Sequence, residues 1–190
     1  MEKRIILATC GLPGAGKSVA TDYLIEKGFY KIYFGDVTFD EMARLGLEVN
    51  EQNERATRER IRKENDGIGA YAKFIIPKIK KAFEEGHNKI VLESLYSWEE
   101  YTQIKGVYLN NFFIIGIHCP FKIRAERLKN RPKRPLTEEQ TQSRDYAQIE
   151  NLHQAGPIAY ADFHIINMFN KENIYSEVNK ILNQFSGDSE

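Results

Sequence analysis

The chain has 190 residues, 42% of them hydrophobic and 28% charged, a balance that supports one buried core and excludes a disordered or collagen-like chain. Its 27 lysines and arginines match its 27 aspartates and glutamates, which weighs against a globally basic nucleic-acid binder. Cys10 and Cys119 are too few for a disulfide framework, and apolar runs such as Phe112 to Ile115 fall far below the ~18 residues of a membrane-spanning helix. One domain in the reducing cytoplasm is expected, with no nucleic-acid or membrane partner. Glu2-Lys3-Arg4 leads directly into Ile5-Ile6-Leu7-Ala8, so no cleavable leader is expected either.

In chain order, five short apolar segments read as strands: Ile5 to Thr9, Tyr30 to Phe34, Lys89 to Glu93, Phe112 to Cys119 and Phe163 to Ile166. Helical patterns separate them, at Lys17 to Lys27, Asp36 to Leu45, Asn50 to Asn65, Gly69 to Glu85, Ser97 to Gly106, Phe121 to Asn130, Thr137 to Gln154 and Asn173 to Phe185. Alternation of strand and helix predicts an α/β fold whose mostly parallel sheet is covered on both faces. The two helices between Asn50 and Glu85 exceed what one crossover needs and predict a helical region beside the sheet. Arg131-Pro-Lys-Arg-Pro135 predicts an exposed turn, and Thr137-Glu-Glu-Gln140 predicts a capping box at the next helix start. The tail from Ser186 to Glu190 is expected to fray.

Gly11-Leu-Pro-Gly-Ala-Gly-Lys-Ser18 fits the phosphate-loop pattern G-x-x-x-x-G-K-[ST], with a strand before it and a helix after it. Gly11, Gly14 and Gly16 let the backbone fold tightly, so that N–H groups from Gly14, Ala15, Gly16, Lys17, Ser18 and Val19 turn toward phosphate at a helix N-terminus. Lys17 is placed to bridge the β- and γ-phosphates of ATP, and the Ser18 hydroxyl to hold Mg²⁺. A guanine reader of the form Asn-Lys-x-Asp is not matched by Asn170-Lys-Glu-Asn173, and Asp66-Gly-Ile-Gly69 does not follow a strand. ATP is therefore the expected nucleotide. The short chain, the extra helices and the basic turn favour a small-molecule kinase; a nucleotide-dependent switch or ATP-binding module with weak ATPase activity is the alternative.

The phosphate loop, Gly35-Asp36, Glu93, Pro120 with the arginine helix, Ser143-Arg-Asp145 and Ala161-Asp-Phe-His-Ile-Ile-Asn167 occur in that order. Together they resemble the P-loop nucleoside-monophosphate-kinase-like family, closest to dephospho-CoA kinases and related kinase-like proteins. The resemblance implies a three-layer P-loop NTPase fold with a five-stranded parallel sheet in the order 2-3-1-4-5. It implies a core of about 1–36, 86–130 and 155–190, a helical acceptor-binding region of about 37–85 and a lid of about 131–145. Adenylate-kinase-like enzymes carry Asp-Gly-x-Pro-Arg after strand three, where this chain has Glu93-Ser-Leu-Tyr-Ser97. The usual Asp-Ala-Asp of dephospho-CoA kinases is reduced to Gly35-Asp36-Val37.

Asp36 lies at the carboxyl end of the second strand, where open α/β sheets bind ligands; it is a candidate base or ligand to Mg²⁺-bound water near an acceptor hydroxyl or phosphate, and also a candidate helix N-cap. Glu93 ends the third strand and is a candidate Mg²⁺ ligand beside Ser18. Between Lys122 and Arg134 stand seven basic residues and one acid, Glu126. Arg124, Arg127 and Arg131 recur at helical spacing and could cover a triphosphate, with Arg44 a possible grip on the acceptor. The resemblance assigns Arg127 and Asn167 to the adenine, and Arg131 and Arg144 to the phosphates. The expected partner is a small-molecule phosphate acceptor, and the expected assembly a monomer or weak homo-oligomer. Tyr71, Phe74 and Phe83 read as helix packing before pocket lining, and the four histidines share no metal spacing.

Overall fold

The computed structural model describes residues 3–186; residues 187–190 of the tail lie outside them. Five parallel strands, β1 (Ile5–Cys10), β2 (Tyr30–Tyr33), β3 (Lys89–Glu93), β4 (Phe112–His118) and β5 (Phe163–Ile166), form one sheet in the order β2-β3-β1-β4-β5. Central β1 pairs with β3 at Thr9↔Glu93 and with β4 at Cys10↔Gly116, and β2 joins β3 at Tyr33↔Glu93. This register brings the ends of three strands to one edge, directly below residues 11–18.

Strand alternation sorts the core into two layers. Ile6, Ala8 and Cys10 face Ile75 and Ile79 of α4 (Ala72–Glu84) and Ile104 of α5 (Trp98–Tyr108). Ile5 and Leu7 face Ala20 and Leu24 of α1 (Lys17–Glu26) and Ile174 and Val178 of α9 (Lys171–Ser186). All six β1 residues are buried, as a strand covered on both faces requires. Beside the sheet lie α2 (Asp36–Arg44) and α3 (Glu51–Glu64). Helix α6 (Phe121–Lys129) follows β4, and α7 (Glu138–Tyr146) follows the basic turn. Among the described residues no helix is long and apolar enough to cross a membrane.

Two expected helices are interrupted. Gly69 to Glu85 begins instead as a 3₁₀ turn, Gly67–Tyr71, before α4; a Cβ on Gly69 would lie 2.2 Å from the Gln103 amide nitrogen, so the chain passes tightly against α5. Thr137 to Gln154 breaks after α7 into a π turn, Ala147–Asn151, reverses at His153 with φ 53°, and resumes as the short α8 (Ala155–Ala159). The break turns Gln154 inward, where its fully buried amide donates to the carbonyls of Gly11 (3.3 Å) and Leu95 (3.4 Å). The capping box at Thr137 is present: Gln140 N–H donates to Thr137 Oγ1 (3.2 Å) and Thr137 N–H to Gln140 Oε1 (2.9 Å).

Candidate functional site

The loop between β1 and α1 is shaped by what presses on it. A Cβ on Gly11, at φ 146°, would sit 2.4 Å from the Ile117 carbonyl oxygen; one on Gly16, at φ 107°, would sit 2.4 Å from Asn167 Nδ2. That amide donates to the Ala15 carbonyl at 2.7 Å, so the connection after β5 fastens the loop from the side. Helix α1 starts with Gly16 at its cap and no side chain capping it, which leaves its first N–H groups available to an anion. Ser18 is exposed at that end, Val19 is half-buried and Ala15 is buried.

Lys17 folds back over the loop. Its Nζ donates to the carbonyls of Gly11 (2.7 Å) and Leu12 (3.3 Å), and burial pulls its pKa down to about 8. The charge is held by carbonyl dipoles, with Glu93 near enough to favour the ammonium. Cys10, directly before the loop, is buried, and its thiol is pushed up to about 12 by desolvation.

Across the sheet edge the groups are acidic and phenolic. Glu93 is paired with Lys31 at 2.5 Å. Asp36 is the exposed first residue of α2, after Gly35 at the cap, so it does not serve as the N-cap; its charge acts on the Tyr33 phenol. The Tyr33 ring lies over Gly35, where a Cβ would come within 2.3 Å of it. Burial raises the Tyr33 phenol to about 12, helped by Tyr96, Glu93, Asp36 and Glu54. These five residues therefore share one electrostatic neighbourhood at the carboxyl end of β2 and β3. Tyr71 donates to or accepts from Thr38 inside the core at 2.7 Å, and Phe83 is buried with it.

The arginines divide by role. Arg124 departs from its neighbours on the helix: it is 4% exposed and grips Asp145 with two hydrogen bonds of 2.9 and 2.7 Å. It also donates to the carbonyls of Pro13 and Cys119, both at 3.0 Å. It ties α6, α7 and the phosphate loop together instead of facing a ligand. Arg127 donates to Phe169 O (3.0 Å), Asn167 Oδ1 (3.4 Å) and Cys119 Sγ (3.3 Å), so it and Asn167 meet after β5. Arg131 is half-buried, bonded through Nε to the Arg134 carbonyl, and its pKa is lowered by burial and by Arg144 and Arg134 close by. Arg44 pairs with Glu41 of its own helix at 2.6 and 2.8 Å.

Two contacts had weak or no sequence signals. Arg134, in the basic turn, reaches α3 and binds Glu54 at 2.6 and 3.3 Å; Arg58 joins the same carboxylate at 3.4 Å. Glu54 is 4% exposed, so a glutamate in a highly charged helix is a buried ion-pair centre. Gln154, beneath Gly11, had no motif to announce it. A cavity of about 340 Å³ opens between the loop and the ends of β4 and β5, lined by Leu12, Ala15, Ile117, Cys119 and Met168 among others.

Comparison with known proteins follows the same lines. A sequence profile described as "AAA domain" matches residues 7–150. The UPF0200 protein of Thermococcus kodakarensis is 30% identical over 183 residues, covering 95% of this chain and 97% of the relative. Among solved structures, a shikimate kinase from Bacteroides thetaiotaomicron superposes with a TM-score of 0.60 at 10% identity, over 96% of this chain and 98% of that one. A gluconokinase from Sinorhizobium meliloti 1021 superposes with a TM-score of 0.56 at 11% identity, over the full length of both. Such low identities speak to fold alone, and the fold is that of P-loop kinases. With a profile match across most of its length and a full-length relative at this identity, the chain belongs to the AAA-domain family of P-loop proteins and, within it, groups with the UPF0200 proteins.

Proposed function

We propose that this chain is an ATP-dependent, cytoplasmic phosphotransferase that moves the γ-phosphoryl group of ATP to a small nucleotide-like acceptor, of the dephospho-CoA or nucleoside-monophosphate type. The observation that carries this reading is the pairing of an uncapped helix N-terminus and a desolvated Lys17 with acidic and phenolic side chains at the same sheet edge. The donor side fits a triphosphate: the Lys17 ammonium is hydrogen-bonded only to the Gly11 and Leu12 carbonyls, and an anion in direct contact would give it a stronger partner. The Ser18 hydroxyl and the Glu93 carboxylate offer hard oxygen donors suited to Mg²⁺, directly or through water. Bound there, Mg²⁺ would neutralise charge on the phosphates.

In this reading Gly11, Gly14, Ala15, Gly16, Ser18 and Val19 cradle the phosphates through the loop and the first turn of α1. Lys17, Arg131 and Arg144 neutralise charge on the transferring group. Arg127 and Asn167 border the base, and Asp36 faces the acceptor. The region of 37–85 receives the acceptor, and the basic turn excludes water that would otherwise turn transfer into hydrolysis. The test is ADP release from a panel of acceptors, with ATP preferred to GTP, and its loss in Lys17→Ala with the fold retained by circular dichroism. Near-wild-type turnover of Lys17→Ala would overturn it.

A further inference from the structure

The basic turn and α3 are tied together beside the site. We infer that this tie is an autoinhibitory latch: the Glu54 carboxylate holds Arg134, and through it Arg131, against the pull of a triphosphate. Glu54 is then a competitor for ATP built into the chain. The inference rests on ATP as the ligand of the phosphate loop, and adds a contact that restrains its binding.

The latch has two links. Arg134 places two N–H groups on the Glu54 carboxylate, at 2.6 and 3.3 Å, the forked geometry that makes arginine–carboxylate pairs strong. The Arg134 carbonyl in turn accepts from Arg131 Nε. Arg131 therefore turns to a phosphate only by leaving that carbonyl or by carrying the tip of the turn with it, and the tip is fastened to α3. Arg134 sits at φ 52°, in the left-handed region, which a residue with a long side chain occupies when its surroundings hold it there.

The charges around the latch favour its release by an anion. Burial, then the nearby Arg144 and Arg134, lower the Arg131 pKa, so three guanidinium groups crowd one another. Glu54 answers them with a single carboxylate, which Arg58 shares at 3.4 Å. A triphosphate brings several charges to the same cluster. Arg134 is prepared to move: its side chain is 55% exposed, so it parts from Glu54 into water at modest cost. Glu54 is only 4% exposed, but it keeps Arg58 when Arg134 departs, so its charge is not left bare. Arg134 first, and Arg58 after it, hold the Glu54 carboxyl below the usual carboxylate range, so it stays ionised as a competitor at neutral pH. Its charge also reaches the Tyr33 phenol, which places this carboxylate at the border of the site.

The test is ATP affinity, measured by calorimetry on the full chain in four forms: wild type, Glu54→Gln, Arg134→Ala and the double variant. An internal competitor lowers apparent affinity by the fraction of molecules it holds, so Glu54→Gln should tighten ATP binding by about three- to tenfold. On the Arg134→Ala background the same substitution should change nothing, because the latch is already open. If Glu54→Gln does not fold, Glu54→Asp takes its place with the same expectation, since it keeps the charge but shortens the arm. Equal tightening on both backgrounds would overturn the inference, marking Glu54 as a distant charge that repels the triphosphate. Unchanged or weaker binding in the Glu54 variant would also overturn it and leave the phosphotransferase reading standing. A folded wild type that does not bind ATP would overturn that reading and the inference with it.

Discussion

The two sides of the site are built by different physics. The phosphate loop is fixed by packing and short backbone contacts: Asn167 holds Ala15, Arg124 holds Pro13, and Gln154 holds Gly11. The opposite side is held by ion pairs, Lys31 with Glu93 and Arg134 with Glu54. Close packing has no near-equivalent alternative, so the loop is set before any ligand arrives. The carboxylates there are largely buried, but Lys31 and Arg134 are exposed to water, where a cation leaves its partner at modest cost, so that side can rearrange through its cations. On the proposed function, one side would serve a constant donor and the other would adapt to its acceptor.

The sharpest way to break this contrast is Arg124→Ala. Removing one member of a buried pair leaves Asp145 uncompensated and should cost about 3–5 kcal/mol in denaturant unfolding. A loss under 1 kcal/mol would mean that the loop is not anchored from α6. Next is Gly16→Ala, which asks for a Cβ against the Asn167 amide at a strained φ; about 1–3 kcal/mol should be lost, read as weaker ATP binding in calorimetry.

The third prediction is a pH effect. Lys17 carries its proton below its lowered pKa of about 8 and loses it above. A triphosphate needs the ammonium, so ATP affinity should be flat below pH 8 and fall by up to about tenfold per pH unit above it. Lys17→Arg, charged throughout, should flatten that limb; a wild-type profile flat to pH 10 would count against Lys17 as a phosphate ligand. The smallest effect belongs to the adaptable side. Glu54→Gln should change stability by no more than about 1 kcal/mol yet quicken hydrogen exchange over residues 131–137, since Arg134 loses its charged partner. Unchanged exchange would show that the turn is held by something else.

Much of this was legible in the sequence because its causes are local. The loop glycines, the strand alternation, and the capping box at Thr137 each depend on residues a few positions apart. What escaped depends on distant partners. Arg124, Arg127 and Arg131 share helical spacing, yet Arg124 turns to Asp145, 21 positions on, and Arg127 to the segment after β5. The end of α7 carries no proline or glycine to mark it; the chain breaks there because Gln154 is drawn beneath the phosphate loop. Glu54 stands among arginines and glutamates of similar aspect, and only the path of the basic turn across α3 selects it.

The anchoring of Asp145 also limits how far the protein could travel in the closure that the proposed function calls for. Residues 131–145 would make a long lever if α7 were loose, but Arg124 pins that helix to the same loop that cradles the phosphates. At the near end Leu136 N–H donates to the Leu128 carbonyl at 3.1 Å, and the Thr137 box fixes the start of α7. What is left to move is the tip between Asn130 and Thr137. The stroke is then that of a small shutter, on the scale of a side chain or two, and catalytic cycling would leave the helices on either side where they stand.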